Sequence, residues 1–170
     1  MDWYPNEDAV GFFADEVLPQ VQAQVSDVKF SIVGGNPSVR VQKLADRSGI
    51  VVTGRVPEIK PYFAEATVFV VPLRIGSGTR LKILEALAMG KAVVSTSVGA
   101  EGLALKDGEE ICIADAPIPF SKAVIRLLTE PSLRRRIGES GRARVEQDYD
   151  WRRIGEKLHG LYTKIGNRAV

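Results

Sequence analysis

The sequence predicts an α/β fold: a Rossmann-like doubly wound parallel sheet with helices on both faces and a helical C-terminal tail. Two observations support this prediction. As far as residue 113, short β-branched runs alternate with amphipathic segments of helical length, which is typical of a parallel sheet covered by helices. Beyond that point the pattern becomes purely helical.

Each predicted element follows from its local pattern. Five short apolar runs are predicted strands, at residues 28–33, 50–53, 67–71, 92–95 and 111–113. The predicted helices cover residues 7–24, 38–47, 58–64, 79–89, 120–128, 132–147 and 151–165. Gly49 and Gly90 stand where a left-handed residue ends a helix, and Ser38 and Thr79 are predicted N-caps.

The composition is that of one globular domain, with 170 residues of which 45% are hydrophobic and 26% charged. The 23 basic residues nearly balance the 21 acidic ones, so no nucleic-acid partner is expected. The single cysteine, Cys112, cannot form an internal disulfide, which favours a reducing compartment and predicts a cytoplasmic protein. The single histidine, His159, leaves little scope for a metal site, and neither a metal nor another cofactor is expected.

Residues 73–90 form the most informative segment. Gly76 and Gly78 let the backbone approach a ligand, and their N–H groups join the first helical turn in an anion site. The following helix is apolar on most of its circumference, which predicts packing on nearly all sides. Glu85 should therefore face a cleft, a partner charge or polar ligand groups. The alternative is an exposed pair of Lys82 and Glu85 that stabilises the helix by a few tenths of a kcal/mol.

Glycines mark one edge of the predicted sheet. They follow the carboxyl ends of candidate strands, where open α/β sheets bind ligands. These are Gly34, Gly35, Gly54, Gly76, Gly78, Gly99 and Gly102. No GxGxxG motif follows a first strand, which disfavours a dinucleotide oxidoreductase. A P-loop is also disfavoured, because the Gly76 loop lacks the required Lys-Ser/Thr pair.

These motifs resemble the C-terminal, donor-binding half of the group 1 (family 4) retaining glycosyltransferases, which have the GT-B fold. The resemblance covers essentially the whole chain, through residues 30–35, 52–56, 76–90, 92–99 and 148–151. It implies transfer of a sugar from a nucleoside diphosphate such as UDP or GDP to an acceptor, with retention of configuration.

The resemblance also implies the donor-binding residues. Glu85 is similar to the second glutamate of the family's Glu, seven residues, Glu motif, and would hold the ribose hydroxyls through charge-assisted hydrogen bonds. The remaining implied residues are Gly76, Ser77, Gly78, Thr79, Arg80, Leu81 and Lys82 around the diphosphate, and Gly54, Arg55 and Val56 at the base. No residue is assigned a catalytic role.

Two departures from the family pattern affect the site. Ser77 replaces the first glutamate of the motif, which leaves the donor sugar open. The basic residues that commonly follow the domain's first strand are absent from residues 1–8. Because a leaving diphosphate needs positive charge or oriented donors, Arg74, Arg80 or Lys82 is expected to supply that charge.

Residues 1–170 are expected to form a single nucleotide-sugar-binding domain, a fragment of a two-domain enzyme that is inactive alone. In the family, the acceptor binds a separate N-terminal domain, and a glycan, lipid or protein is the expected acceptor here. The full-length protein is expected in the cytoplasm or at the inner face of the membrane. Two alternatives stay open: a non-catalytic nucleotide-sugar binding module and, less favoured, a sugar-nucleotide epimerase of related fold.

The family's donor domain opens with a central strand that would end just before Met1. Its loss would leave a gap in the sheet, with unpaired backbone groups that each cost on the order of 1–3 kcal/mol. We expect residues 28–33 to pair directly with residues 67–71, or a strand to be borrowed from another copy or a tag. Self-association through the exposed strand edges is the favoured outcome.

Overall fold

The computed structural model describes residues 3–76 and 78–166 of the chain. Within this part, five short strands alternate with helices. The strands are β1 (Phe30–Val33), β2 (Ile50–Gly54), β3 (Phe69–Val71), β4 (Val93–Ser95) and β5 (Cys112–Ile113). Each lies within one of the predicted apolar runs or extends it by one residue, so the five predicted strands are confirmed.

The strands form two parallel sheets rather than one. β1 pairs with β2, and β4 lies between β3 and β5 in the other sheet. The expected direct pairing of residues 28–33 with residues 67–71 is therefore wrong. Residues of both segments line the same cavity, and among the described residues β1 and β3 each have a neighbouring strand on one side only.

Helices precede, connect and follow the strands. They are α1 (Tyr4–Phe12), α2 (Leu18–Gln22), α3 (Val39–Gln42), α4 (Lys60–Glu65), α5 (Leu81–Ala88), α6 (Ser97–Ala100), α7 (Pro117–Thr129), α8 (Pro131–Asp148) and α9 (Trp151–Gly166). A π-helical turn at Phe13–Val17 joins α1 to α2, next to Pro19, which lacks the N–H that a regular helical bond would need. The last three helices confirm the predicted helical tail.

Two apolar cores lie on opposite faces of the second sheet. Val94 of β4 belongs to the core that contains Phe13 and Phe120. Its neighbour Val93 belongs to the core that contains Leu87. Because successive residues of a strand point to opposite faces, both faces of the sheet are covered, which confirms the doubly wound α/β fold.

Helix α5 packs on one side only, so the expectation of packing on nearly all sides is wrong. Ile83, Ala86 and Leu87 are buried, whereas Leu81 is 54% exposed and Ala88 is also exposed. The buried residues have i, i+3, i+4 spacing and form one stripe against the sheet and α8. The opposite side of α5 is open.

The predicted ends of several helices can be checked directly. Ser38 is confirmed as an N-cap, since its hydroxyl accepts a hydrogen bond from the Val41 N–H. Gly49 and Gly90 are confirmed in the left-handed region, with φ of 79° and 70°. Gly90 directly follows the end of α5, whereas the helical segment before Gly49 already ends at Asp46, so Gly49 lies in the turn that leads into β2. Thr79 is not an N-cap, because α5 begins at Leu81 and Arg80 holds the capping position.

Candidate functional site

The glycine loop after β3 carries the first part of the candidate site. Gly76 and Gly78 have φ of 135° and 96°, a region that glycine adopts without the penalty paid by other residues. This allows the chain to turn from β3 toward the start of α5. Ser77 lies outside the described residues. Gly78 and Thr79 are exposed.

The first turn of α5 provides backbone donors next to this loop. The first intrahelical bonds run from the Ile83 and Leu84 N–H groups to the Arg80 carbonyl. The N–H groups of Leu81 and Lys82 lie before these bonds, where a helix has no internal acceptor for them. Together with the helix dipole, these groups favour an anion at this end of α5.

Lys82 is the cation closest in sequence to these donors. Its Nζ donates a hydrogen bond to Asn6 Oδ1 at 3.1 Å, and no ion pair joins it to Glu85 within the described residues. Although its side chain retains solvent-accessible surface, partial desolvation lowers the pKa of Lys82, and the nearby charge of Arg80 lowers it further. A bound anion would offset both effects.

Glu85 lies one turn after Lys82, and both residues line the same cavity. Its side chain is exposed, and its carboxylate has no hydrogen-bond or ion-pair partner in the described part of the chain. The alternative of an exposed pair with Lys82 is therefore not what the structure contains. An unpaired carboxylate at this position can accept hydrogen bonds from two hydroxyl groups.

Arg80 lies inside the protein rather than at the open surface. It is only 6% exposed. Its Nη2 donates to Glu101 Oε2 at 3.2 Å and to the Gly76 carbonyl at 3.3 Å, while Nε is buried without a partner among the described residues. Arg80 therefore ties the glycine loop to Glu101, and its contact with a diphosphate stays a prediction.

Residues of α1 that were not among the predicted site residues also contact the candidate site. Asp8 accepts two hydrogen bonds from Arg74, at 3.0 and 2.6 Å, and this guanidinium holds the pKa of Asp8 below its usual range. Arg74 also lies 4.8 Å from the centre of the Phe12 ring. Because its charge is already paired with Asp8, Arg74 is poorly suited to replace the basic residues that are absent from positions 1–8. In the sequence, the pairing of Arg74 with Asp8 was indicated only by the acidic residues among positions 1–8.

Hydroxyl groups at the end of β4 form hydrogen bonds that fix the start of the glycine loop. Ser95 Oγ donates to the Val71 carbonyl at 3.2 Å. Thr96 Oγ1 donates to the Leu73 carbonyl and accepts from the Gly99 N–H at 2.9 Å. These bonds connect the end of β3, the start of the glycine loop and α6.

The predicted base-reading residues lie at the carboxyl end of β2, which belongs to the other sheet. Gly54 ends β2 with φ of 69°, and Arg55 and Val56 follow it. Arg55 is exposed and packs beside Gly35, because a Cβ on that glycine would lie 3.6 Å from Arg55 Nε. The loops after β1 and β2 are therefore adjacent. Within the described residues, no hydrogen bond or ion pair joins Gly54, Arg55 or Val56 to Lys82 or Glu85, which line the other part of the candidate site.

Comparison with known proteins identifies the family. The model of the family described as glycosyl transferases group 1 matches residues 1–130. The chain belongs to the group 1 glycosyl transferases. This match confirms the resemblance drawn from the motifs, and it establishes sugar transfer as the general activity of the family.

Curated relatives are longer proteins. A GDP-mannose-dependent alpha-(1-6)-phosphatidylinositol monomannoside mannosyltransferase of Mycolicibacterium smegmatis is 30% identical over 159 residues, which cover 85% of this chain and 42% of that protein. An uncharacterized 44.6 kDa protein from the cps region of Klebsiella pneumoniae is 24% identical, with coverage of 84% and 39%. The chain thus spans about two fifths of the length of these relatives.

Solved structures share the fold. A glycosyltransferase from Rickettsia africae superposes with a TM-score of 0.78 at 15% identity, over 97% of this chain and 45% of that one. The C-terminal domain of a group 1 glycosyl transferase, LpcC, from Francisella tularensis superposes with a TM-score of 0.68 at 18% identity, over 86% of this chain and 79% of that one.

Within the described residues, no helix has the length and apolar character needed to cross a membrane.

Proposed function

We propose that this chain is the donor-binding domain of a retaining glycosyltransferase, which transfers a sugar from a nucleoside-diphosphate sugar to an acceptor. The observation that carries the proposal is the open side of α5. There the Lys82 ammonium and the Glu85 carboxylate, which has no partner among the described residues, directly follow the glycine loop. In this proposal Glu85 binds the ribose hydroxyls, and Lys82 binds the diphosphate together with the free N–H groups of the first turn. The proposal includes no metal ion.

The remaining residues have supporting roles in the proposal. Gly76 and Gly78 allow the backbone to turn around the diphosphate, and Ser77, Thr79 and Leu81 lie beside the diphosphate. Arg80 contributes its positive charge, and its hydrogen bonds to Glu101 and Gly76 also hold the glycine loop in position. The base lies at Gly54, Arg55 and Val56.

GDP-mannose is the first donor to test, because the relative from Mycolicibacterium smegmatis is named as GDP-mannose-dependent. The acceptor, a glycan, lipid or protein, would bind to a domain outside these 170 residues. We therefore expect no transfer activity from the chain alone, and we propose that the full-length enzyme works in the cytoplasm or at the inner face of the membrane.

Calorimetry with GDP, UDP and the corresponding nucleosides tests the site. Glu85→Gln should preserve folding and weaken nucleoside-diphosphate binding by roughly 1–3 kcal/mol, the cost of a lost charged hydrogen bond. Glu139→Gln is the matched control, since Glu139 is also an exposed helical glutamate and has no described partner. Equal affinities for the wild type and Glu85→Gln would reject the ribose assignment.

The phosphate contact has its own test. Lys82→Gln should weaken binding of the diphosphate much more than binding of the nucleoside, and Lys122→Gln on the exposed side of α7 should change neither. A loss of equal size for both ligands would show that Lys82 does not contact the phosphates. The same comparison for Arg80→Gln needs a thermal melt alongside, because Arg80 is buried.

One observation favours a second function, a non-catalytic nucleotide-sugar binding module. Ser77 stands where the family has a carboxylate that contacts the donor sugar. Transfer or donor hydrolysis by the full-length protein would exclude this alternative. If transfer occurs, the anomeric configuration of the product by NMR decides whether configuration is retained.

A further inference from the structure

Helix α1 bonds to the chain on both sides of the glycine loop. Before the loop, Arg74 donates two hydrogen bonds to Asp8, at 2.6 and 3.0 Å. After the loop, Lys82 Nζ donates a hydrogen bond to Asn6 Oδ1 at 3.1 Å. Because the Arg74–Asp8 pair is bidentate and the Asp8 side chain is only 11% exposed, this pair fixes the separation between α1 and the loop.

Between these two contacts, the start of α1 packs on the loop itself. A Cβ placed on Gly76 would lie 3.8 Å from Pro5 and 3.9 Å from Trp3. Pro5 is buried, and its ring restricts the backbone of the first helical turn. The Asn6 N–H bonds to the Trp3 carbonyl at 2.9 Å. The backbone that carries Asn6 is therefore held in a defined position relative to the loop.

The bond from Lys82 to Asn6 orders the ammonium and leaves its charge in place. A lysine side chain is long and flexible, so fixing it before a ligand arrives removes part of the entropy cost of binding. The amide oxygen of Asn6 carries no net charge, whereas a carboxylate there would neutralise the lysine. An ammonium has three N–H donors, and within the described residues Lys82 donates only to Asn6. Two donors therefore remain for a ligand.

The ordered ammonium lies on the side of α5 where the other candidate donor-binding groups are found. Asn6, Lys82 and Glu85 line the same cavity. Partial desolvation lowers the pKa of Lys82, and a hydrogen-bond acceptor on the ammonium opposes that effect by stabilising the charged form. Asn6 therefore favours the protonated lysine, which is the form that attracts a phosphate.

We propose that Asn6 is a positioning residue of the donor site, which holds the Lys82 ammonium where a diphosphate binds. Asn6 acts through Lys82, and the Arg74–Asp8 pair keeps α1 at the distance that this bond needs. This role rests on the proposed function, because it requires Lys82 to bind the diphosphate.

Two substitutions of Asn6 separate positioning from a merely structural role. Asn6→Leu keeps the size of the side chain and removes the acceptor. Asn6→Asp keeps an acceptor and adds a negative charge that competes with a phosphate for Lys82. Since Asn6 lies in the first turn of α1, where a carboxylate is favourable, Asn6→Asp should not lower the melting temperature. Gln24→Glu, at an exposed residue beyond the end of α2, makes the same change of charge and is the matched control.

Calorimetry with GDP, UDP and their nucleosides measures the effect on binding. Both Asn6 variants should bind the diphosphates about tenfold more weakly, as for a weakened charged hydrogen bond, and should bind the nucleosides as the wild type does. Gln24→Glu should change neither affinity.

A second measurement needs no nucleotide. The pKa of Lys82 is followed by the ¹³C NMR signal of its Cε, assigned by its absence in Lys82→Gln. This pKa should fall in Asn6→Leu, which removes the acceptor, and rise in Asn6→Asp, which adds a carboxylate. The other charged groups on the neighbouring elements are Arg80 and Glu85 on the segment of Lys82, and Glu7 and the paired Asp8 on α1. All four are unchanged in these variants.

The results distinguish this role from the proposed function. Diphosphate binding that depends on Lys82 and is unchanged in either Asn6 variant would overturn the role of Asn6 alone. The same conclusion would follow from equal losses for diphosphate and nucleoside, or from a Lys82 pKa that is the same in all three proteins. Diphosphate binding that survives Lys82→Gln would reject the proposed phosphate contact, and the role of Asn6 with it.

Discussion

Gly138 gives the clearest test of how the C-terminal helices pack. A Cβ on this residue of α8 would lie 3.1 Å from the Gly90 carbonyl carbon and still closer to its oxygen, and 3.5 Å from the Ala92 nitrogen. These are backbone atoms at the turn between α5 and β4, so they cannot swing aside as a side chain would. Gly138→Ala must therefore push α8 outward by roughly 1 Å, away from α5.

The expected magnitude follows from two opposing terms. Overpacking of this kind costs about 1–3 kcal/mol, and it separates buried residues such as Ile137 and Leu87 from their neighbours. The gain in helix propensity from glycine to alanine returns at most about 1 kcal/mol. We expect a net loss of about 1–2 kcal/mol, which lowers the melting temperature by roughly 2–8 °C in a chain of this length.

Gly155→Ala is the matched control. Gly155 lies in α9, and a Cβ there would meet nothing within 4 Å. The same chemical change should leave the melting temperature unchanged or raise it slightly. Thermal unfolding by circular dichroism, with urea unfolding for the free energy, checks both variants. A Gly138→Ala protein as stable as the wild type would refute the close packing of α8 on the turn at Gly90.

Two further predictions concern pH. Arg74 holds the pKa of Asp8 below its ordinary value, so the stability this pair contributes is fully present above the unfolded pKa of about 3.9 and is lost as the pH falls through the lower folded pKa. Asp8→Asn should flatten the dependence of the unfolding free energy on pH below about pH 4, measured by urea titration, and an unaltered slope would contradict the assignment. Because partial desolvation lowers the pKa of Lys82, affinity for a nucleoside diphosphate should fall as the pH rises through that value, below the ordinary figure of about 10.4. Lys82→Arg should move this loss to higher pH in calorimetry, and identical profiles for the two proteins would assign the loss to another group.

The local patterns of the sequence determined much of this protein. Alternation of β-branched runs with helical segments predicted all five strands and the helical tail, because the periodicity of each element depends on its own residues. The left-handed backbone of Gly49 and Gly90 could be predicted, since it depends on local backbone sterics alone, although only Gly90 directly follows the end of a helix. The motifs from residue 30 to residue 99 also placed the chain in its family.

Tertiary structure decided which of the candidate charges are free. The sequence offered Arg74, Arg80 and Lys82 as equivalent cations, yet Arg74 pairs with Asp8, 66 residues away, and Arg80 is buried against Glu101. Such contacts arise from the packing of distant elements, and no local periodicity encodes them. The same holds for the gap between β1 and β3, since a strand's pattern shows that it is buried and leaves open which neighbour meets each of its edges.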